Sequence, residues 1–135
     1  MNQHATGPFD VKMIPQPADP DAAGETIGRM VLDKKYHGAL NAVGRGQMLA
    51  MRTAVAGSAG YVAMELITGK LDGRSGSFVV QHTGRMNRGV ATIVLAIVPD
   101  SGTAELTGLT GTMEIIVAEG GKHSYRLEYQ LPEAQ

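Results

Sequence analysis

The stretch "LDGRSGSFVVQHTGRM", Leu71 to Met86, decides the fold class. Its pattern is the end of one strand, a turn that glycine permits, a second glycine, and then an apolar strand that runs into Gln81 and His82. Successive side chains of a strand point to opposite faces of a sheet. Gln81 and His82 therefore do not face the same cavity unless a bulge intervenes.

A second copy of this pattern follows 35 residues later, in "LTGLTGTMEI" from Leu106 to Ile115. Closely spaced glycines can also bind phosphate through their backbone N–H groups. Neither copy is followed by the start of a helix, which phosphate-binding and dinucleotide-binding loops require. Both copies therefore predict structural turns between strands.

The whole chain reads as alternating segments separated by glycine-rich turns, with no sustained helical periodicity. Regular turns without helices favour an antiparallel sandwich or barrel, and closure of a barrel removes exposed edge strands. We therefore predict an all-β fold, a closed antiparallel eight-stranded β-barrel. A short helix could compete only in "QMLAMRTAVAG" (47–57), and "PQPADPDAAG" (15–24) predicts a loop or a brief helical turn. The predicted strands are Ala5–Ile14, Gly28–His37, Ala39–Val55, Gly60–Thr68, Gly76–Arg85, Gly89–Val98, Gly111–Ala118 and His123–Leu131.

Composition excludes several classes of function. The chain has 135 residues, which fits a single domain (1–135), and its net charge of −1 gives no basic surface for nucleic acid. The absence of cysteine excludes disulfides and thiolate chemistry. The N-terminus lacks the pattern of a signal peptide, and the longest apolar run is too short for a membrane helix, so we expect a cytoplasmic protein without membrane contact.

Candidate site residues lie on two strands. Tyr61, Ala63 and Glu65 share one face of their strand. Gln81 lies on one face of the next strand and His82 on the other. Two arrangements remain open. Either Tyr61, Glu65 and Gln81 line the barrel lumen, or the apolar face fills it, so that His82 lies inside and Glu65 is a solvated surface carboxylate.

Other chemistry has weaker support in the sequence. His4, His37, His82 and His123 are scattered without metal-ligand spacing, so we expect no metal site, and nothing indicates a cofactor. No G-x-S-x-G motif indicates a nucleophilic serine. Three arginines flank one hairpin and could hold an anionic ligand, although solvated strand ends are the simpler interpretation: Arg74, Arg85 and Arg88.

The segment "VATIVLAIV", Val90 to Val98, is apolar on both faces. Such a strand must be covered on both sides, and the sequence offers little helix to cover the outer one. We therefore expect a homo-oligomer, with Leu95→Asp as the substitution that disrupts its interface.

The long segments of residues 57–89, 97–115 and 121–129 resemble a family of small bacterial proteins of unknown function. The resemblance extends over nearly the whole chain, from "HATGPFDVK" (4–12) to "RLEYQLP" (126–132). It implies an allene-oxide-cyclase-like (calycin-like) β-barrel, but no reaction and no catalytic residues.

Three functions follow as hypotheses. The first is binding of a small apolar or amphipathic molecule in the lumen, with Tyr61, Glu65, Gln81 and His82 as the candidate contacts. The second is an isomerase- or cyclase-like enzyme in which Glu65 or His82 moves a proton. The third is a structural protein that assembles through its apolar outer strand.

Overall fold

The computed structural model describes residues 2–132 and is a closed barrel of eight antiparallel strands, each paired with its neighbours in sequence. The pairing of β1 with β8 closes the ring. The predicted fold class is therefore confirmed, and the helix considered for residues 47–57 is replaced by the end of β3 and a turn. The strands are β1 Gln3–Pro15, β2 Gly28–Tyr36, β3 Leu40–Arg52, β4 Ala59–Leu71, β5 Arg74–Asn87, β6 Val90–Ile97, β7 Thr110–Val117 and β8 His123–Gln130.

The two glycine-rich copies adopt different turns. In the first copy, Asp72 and Gly73 have φ of 49° and 84° and form a two-residue turn between β4 and β5. Positive φ at both positions matches the twist of the paired strands and is least costly for glycine and aspartate. The second copy belongs to the longer connection between β6 and β7, which contains a 3₁₀ turn at Ala104–Leu106.

Alternation within each strand divides the barrel into an inner and an outer face. The inner faces form one core of aromatic and aliphatic side chains, sealed at one end by Leu106 and Leu109 from the β6–β7 connection. We call this the closed end; the β2–β3 and β4–β5 turns lie there as well.

The opposite end, which we call the mouth, is less completely paired. β1 pairs with β8 only up to Phe9 and with β2 from Phe9 onward. β6 and β7 pair at two positions, Leu95 with Met113 and Ala96 with Thr112. Several inward-facing apolar side chains near the mouth consequently stay about half exposed: Met13, Met86, Ile93 and Val117.

The outer face of β6 is uncovered in the described chain. Val90 and Val94 are 70% and 56% exposed, whereas Leu95 is 2% exposed and points into the core. The choice of Leu95→Asp as an interface substitution is therefore wrong, because an aspartate there would disrupt the core. Oligomerisation itself stays a prediction.

Candidate functional site

A buried carboxylate lies at the centre of the barrel. Glu65 on β4 is 1% exposed. Its Oε1 accepts hydrogen bonds from Lys34 Nζ at 2.9 Å and from His82 Nε2 at 3.1 Å. Its Oε2 accepts a hydrogen bond from the Tyr36 hydroxyl. These four side chains, which we call the Glu65 cluster, come from three strands, and each is buried.

Gly44 on β3 makes this cluster sterically possible. Lys34 on β2 and Glu65 on β4 lie on either side of β3, so their side chains must meet across it. A Cβ at Gly44 would lie 2.1 Å from Glu65 Oε2 and 3.0 Å from the Tyr36 ring. The carboxylate thus occupies space that any other residue at position 44 would fill.

The polar contacts keep Glu65 ionised despite its burial. Burial raises the pKa of Glu65, but the hydrogen bonds from His82, Tyr36 and Lys34 and the charge of Lys34 outweigh it, and the net shift is downward. Burial and the adjacent Glu65 charge raise the pKa of Tyr36, which therefore stays a neutral donor. The Lys34 ammonium also lies 5.3 Å from the centroid of the Phe9 ring. The cluster thus contains a buried Lys34–Glu65 ion pair whose loss of hydration is offset by hydrogen bonds and by the opposite charges.

The contacts of Glu65 also define the state of His82. An ionised carboxylate can only accept a hydrogen bond, so Nε2 of His82 carries a proton. Nδ1 of His82 has no hydrogen-bond partner within residues 2–132. In that range, no fully buried side-chain nitrogen or oxygen lacks a partner, so Nδ1 is not completely buried. The imidazole side chain as a whole is only 3% exposed.

An apolar cavity of about 180 Å³ lies at the mouth, and His82 is not among the residues that line it. Tyr61 and Gly84 pair across β4 and β5 and form part of its wall. The Tyr61 ring lies over Gly84, and its centroid is 6.5 Å from that of His82. Burial raises the pKa of Tyr61, so its phenol is neutral. The other residues that line the cavity are mostly small or apolar, and two of them are arginines at the rim: Met48, Ala50, Met51, Arg52, Ala59, Gly60, Arg85, Met86, Ala91 and Ile93.

Three of the four predicted site residues share the inner face. Tyr61, Glu65 and His82 point inward, whereas Gln81 is exposed on the outer face. The register pairs Glu65 with Val80 and Ala63 with His82, so Glu65 and His82 are diagonal neighbours on one face. Neither of the two arrangements left open by the sequence is correct, because one excluded His82 from the interior and the other excluded Glu65.

Sequence reasoning missed Lys34 and Tyr36. Both lie on the same face of β2 as Leu32, and a lysine on an otherwise apolar face was the signal.

The three arginines do not converge, since Arg74 begins β5 while Arg85 and Arg88 lie near its other end. Among residues 2–132, no group of three or more His, Asp or Glu side chains could hold a metal ion. No helix in this part of the chain has the length and hydropathy needed to cross a membrane.

The fold and site define a small antiparallel eight-stranded barrel with an ion-pair cluster in its interior. The chain belongs to the DUF3224 family, proteins of unknown function, whose family model matches residues 5–129. It is similar to a crystal structure of a DUF3224 protein of unknown function from Shewanella oneidensis MR-1. The two share 48% sequence identity, with a TM-score of 0.90 over 99% of this chain and 100% of the other. A search among curated proteins finds no match.

Proposed function

We propose that the protein binds a small, largely apolar molecule in the mouth of the barrel. The observation that carries this proposal is the apolar cavity of about 180 Å³, surrounded by inward-facing side chains that the fold leaves partly exposed. Apolar side chains aimed into a barrel lose contact with water only when something fills the space between them. A bound apolar molecule would supply that contact.

The cavity volume limits the size of the ligand. An apolar cavity of about 150 Å³ accommodates benzene, so about 180 Å³ fits a single ring with a small substituent. A ligand of this size that buries about 200 Å² of apolar surface gains at most about 5 kcal/mol, which corresponds to a Kd of about 0.2 mM or weaker. Larger ligands would extend past Ile93 and Met86 toward solvent.

Toluene is a suitable probe because it has the required size and no hydrogen-bonding group. We expect saturable chemical-shift changes of amide groups around Ala50, Gly84 and Ile93 in a two-dimensional ¹H–¹⁵N NMR titration. Ala50→Phe places a ring in the cavity and should weaken toluene binding by roughly 10-fold or more, equivalent to about 1.4 kcal/mol. The same substitution on the outer face, Ala96→Phe, is the control and should leave binding unchanged. Equal binding by both variants, or no saturable shifts in the wild type, would contradict the proposal.

A proton-transfer enzyme, of the isomerase or cyclase type, is a second candidate function. It is supported by the hydrogen bond between Glu65 and His82, since a carboxylate that orients an imidazole and stabilises its protonated form is the usual support for a histidine general base. The direct test is wash-in of solvent deuterium at the acidic C–H positions of a small ketone such as cyclohexanone. Exchange should be faster with the wild type than with His82→Leu; equal rates would count against an enzymatic role.

A further inference from the structure

We propose that the mouth site takes a compact aromatic carboxylate, with its ring in the apolar cavity and its carboxylate at the guanidinium of Arg52. This inference rests on the proposed binding function and adds the chemical class of the ligand to it. The ring and the carboxylate are each argued from residues that line the cavity.

The wall of the cavity combines one aromatic ring with thioether side chains. Tyr61 and Gly84 lie opposite each other on β4 and β5 and form its middle layer. Met48 on β3 lies one inward-facing layer deeper, toward the closed end, and Met86 on β5 lies one layer nearer the rim. Ring–ring packing and contacts between a thioether and a ring stabilise an aromatic molecule beyond the burial of its surface. The wall therefore favours an aromatic ring over a saturated ring of the same size.

Arg52 is the charged residue at the top of this wall. It lines the cavity and occupies the same inward-facing row of β3 as Met48 and Ala50. It pairs with Ala59 beside the β3–β4 turn, and it is exposed to solvent. Arg85 also contributes to the lining, but alternation directs its side chain to the outer face. Arg52 is therefore positioned to meet a polar group at the outer end of a bound ring.

The charge around the rim has one sign. The two hairpin ends that surround the cavity, residues 47–64 and 81–99, contain three arginines and no lysine, aspartate or glutamate: Arg52, Arg85 and Arg88. None of the three makes an ion pair with a carboxylate of residues 2–132. Such a rim attracts anions. The planar guanidinium of Arg52 can bind a carboxylate through two parallel hydrogen bonds, so a carboxylate is the anion that it fits best.

The backbone that carries Arg52 is held in place without a ligand. Thr53 N–H donates to the Ser58 carbonyl over 3.1 Å within the β3–β4 turn. Gly89 N–H donates to the Gly57 carbonyl over 2.9 Å and ties this turn to the β5–β6 turn. Binding therefore has to order the Arg52 side chain but not the rim itself, which keeps the entropic cost low.

Benzoate and benzamide have nearly the same shape and differ in charge, so they test the role of Arg52. Both Kd values come from the ¹H–¹⁵N titration already described, at neutral pH. We expect the ratio of the benzamide Kd to the benzoate Kd to fall by roughly 3-fold from wild type to Arg52→Met, the effect of an ion pair at an exposed site. Arg45→Met, on the outer face of the same strand, is the control and should leave the ratio unchanged.

Cyclohexanecarboxylate tests the ring, because it has the charge of benzoate on a saturated ring. Wild type should bind benzoate more tightly. The ratio of the cyclohexanecarboxylate Kd to the benzoate Kd should fall by roughly 2- to 10-fold in Met48→Leu/Met86→Leu, the effect of lost thioether–ring contacts. Met64→Leu, on the outer face, is the control.

A measurement on the wild type covers the case in which a variant does not fold. Sodium chloride should weaken benzoate binding and leave benzamide binding nearly unchanged. Toluene binding together with equal affinities for benzoate and benzamide would overturn the carboxylate assignment while leaving the proposed function intact. Equal affinities for benzoate and cyclohexanecarboxylate would overturn the aromatic assignment. Absence of saturable shifts with both toluene and benzoate would overturn this inference and the proposed function together.

Discussion

Neutralising the two charges of the buried ion pair separately and together should give strongly non-additive effects on stability. Lys34 and Glu65 have side chains that are 5% and 0% exposed, with 2.9 Å between Nζ and Oε1. Glu65→Gln retains an oxygen for Lys34 and His82 but leaves the ammonium without a counter-charge, which should cost about 3–5 kcal/mol. Lys34→Met leaves Glu65 with its two neutral donors and should cost about 3 kcal/mol.

The double variant removes both charges while the hydrogen bonds of Tyr36 and His82 to position 65 can persist. Its cost should therefore be about 1 kcal/mol, well below the sum of the single substitutions, so the coupling energy is about 5–7 kcal/mol. Guanidinium unfolding followed by circular dichroism measures all four free energies of unfolding. Lys35→Met, on the exposed face of the same strand, is the control and should change stability by less than about 0.5 kcal/mol. Single effects that add to within about 0.5 kcal/mol would refute the assigned ion pair.

The same structure gives three further predictions. Because the pKa of Glu65 is lower in the folded than in the unfolded protein, the stability that Glu65 contributes is complete above the unfolded pKa of about 4.3. It is lost as pH falls through the folded pKa. Glu65→Gln should flatten this part of the curve of unfolding free energy against pH, and an unchanged curve would contradict the assigned pKa shift. Gly44→Ala should lower the free energy of unfolding by about 2–4 kcal/mol because the new methyl group displaces the Glu65 carboxylate. Gly28→Ala is the control and should be nearly neutral, since no atom lies closer than 3.8 Å to its new Cβ. Equal urea midpoints for the two variants would refute the steric role of Gly44. If copies associate through the exposed apolar side chains on the outer faces of β4 and β6, Val62→Asp and Val94→Asp should each convert an oligomer to folded monomer. Size-exclusion chromatography with light scattering measures this, and a monomeric wild type would reject association.

The register of one hairpin could have been predicted from the sequence. A two-residue turn at Asp72–Gly73 fixes Leu71 opposite Arg74. Counting back along both strands then places Glu65 opposite Val80 and His82 opposite Ala63. Glu65 and His82 therefore share a face as a direct consequence of where the turn lies. When β4 and β5 are considered separately, the register set by the turn is not used. The sequence then indicates Gln81 instead of His82 as the partner of Glu65.

The sequence by itself determined the strands, their turns and the residues that share a face within each strand, because alternation and turn chemistry are local properties. It did not determine which face of β4 points inward, since Val62, Met64 and Leu66 on the outer face are as apolar as the inner set. It also did not bring Lys34 to Glu65, because that contact crosses β3 and depends on the space left by Gly44. Only closure of the ring sets the inner face and the distances across it, because it fixes all eight strands relative to one another.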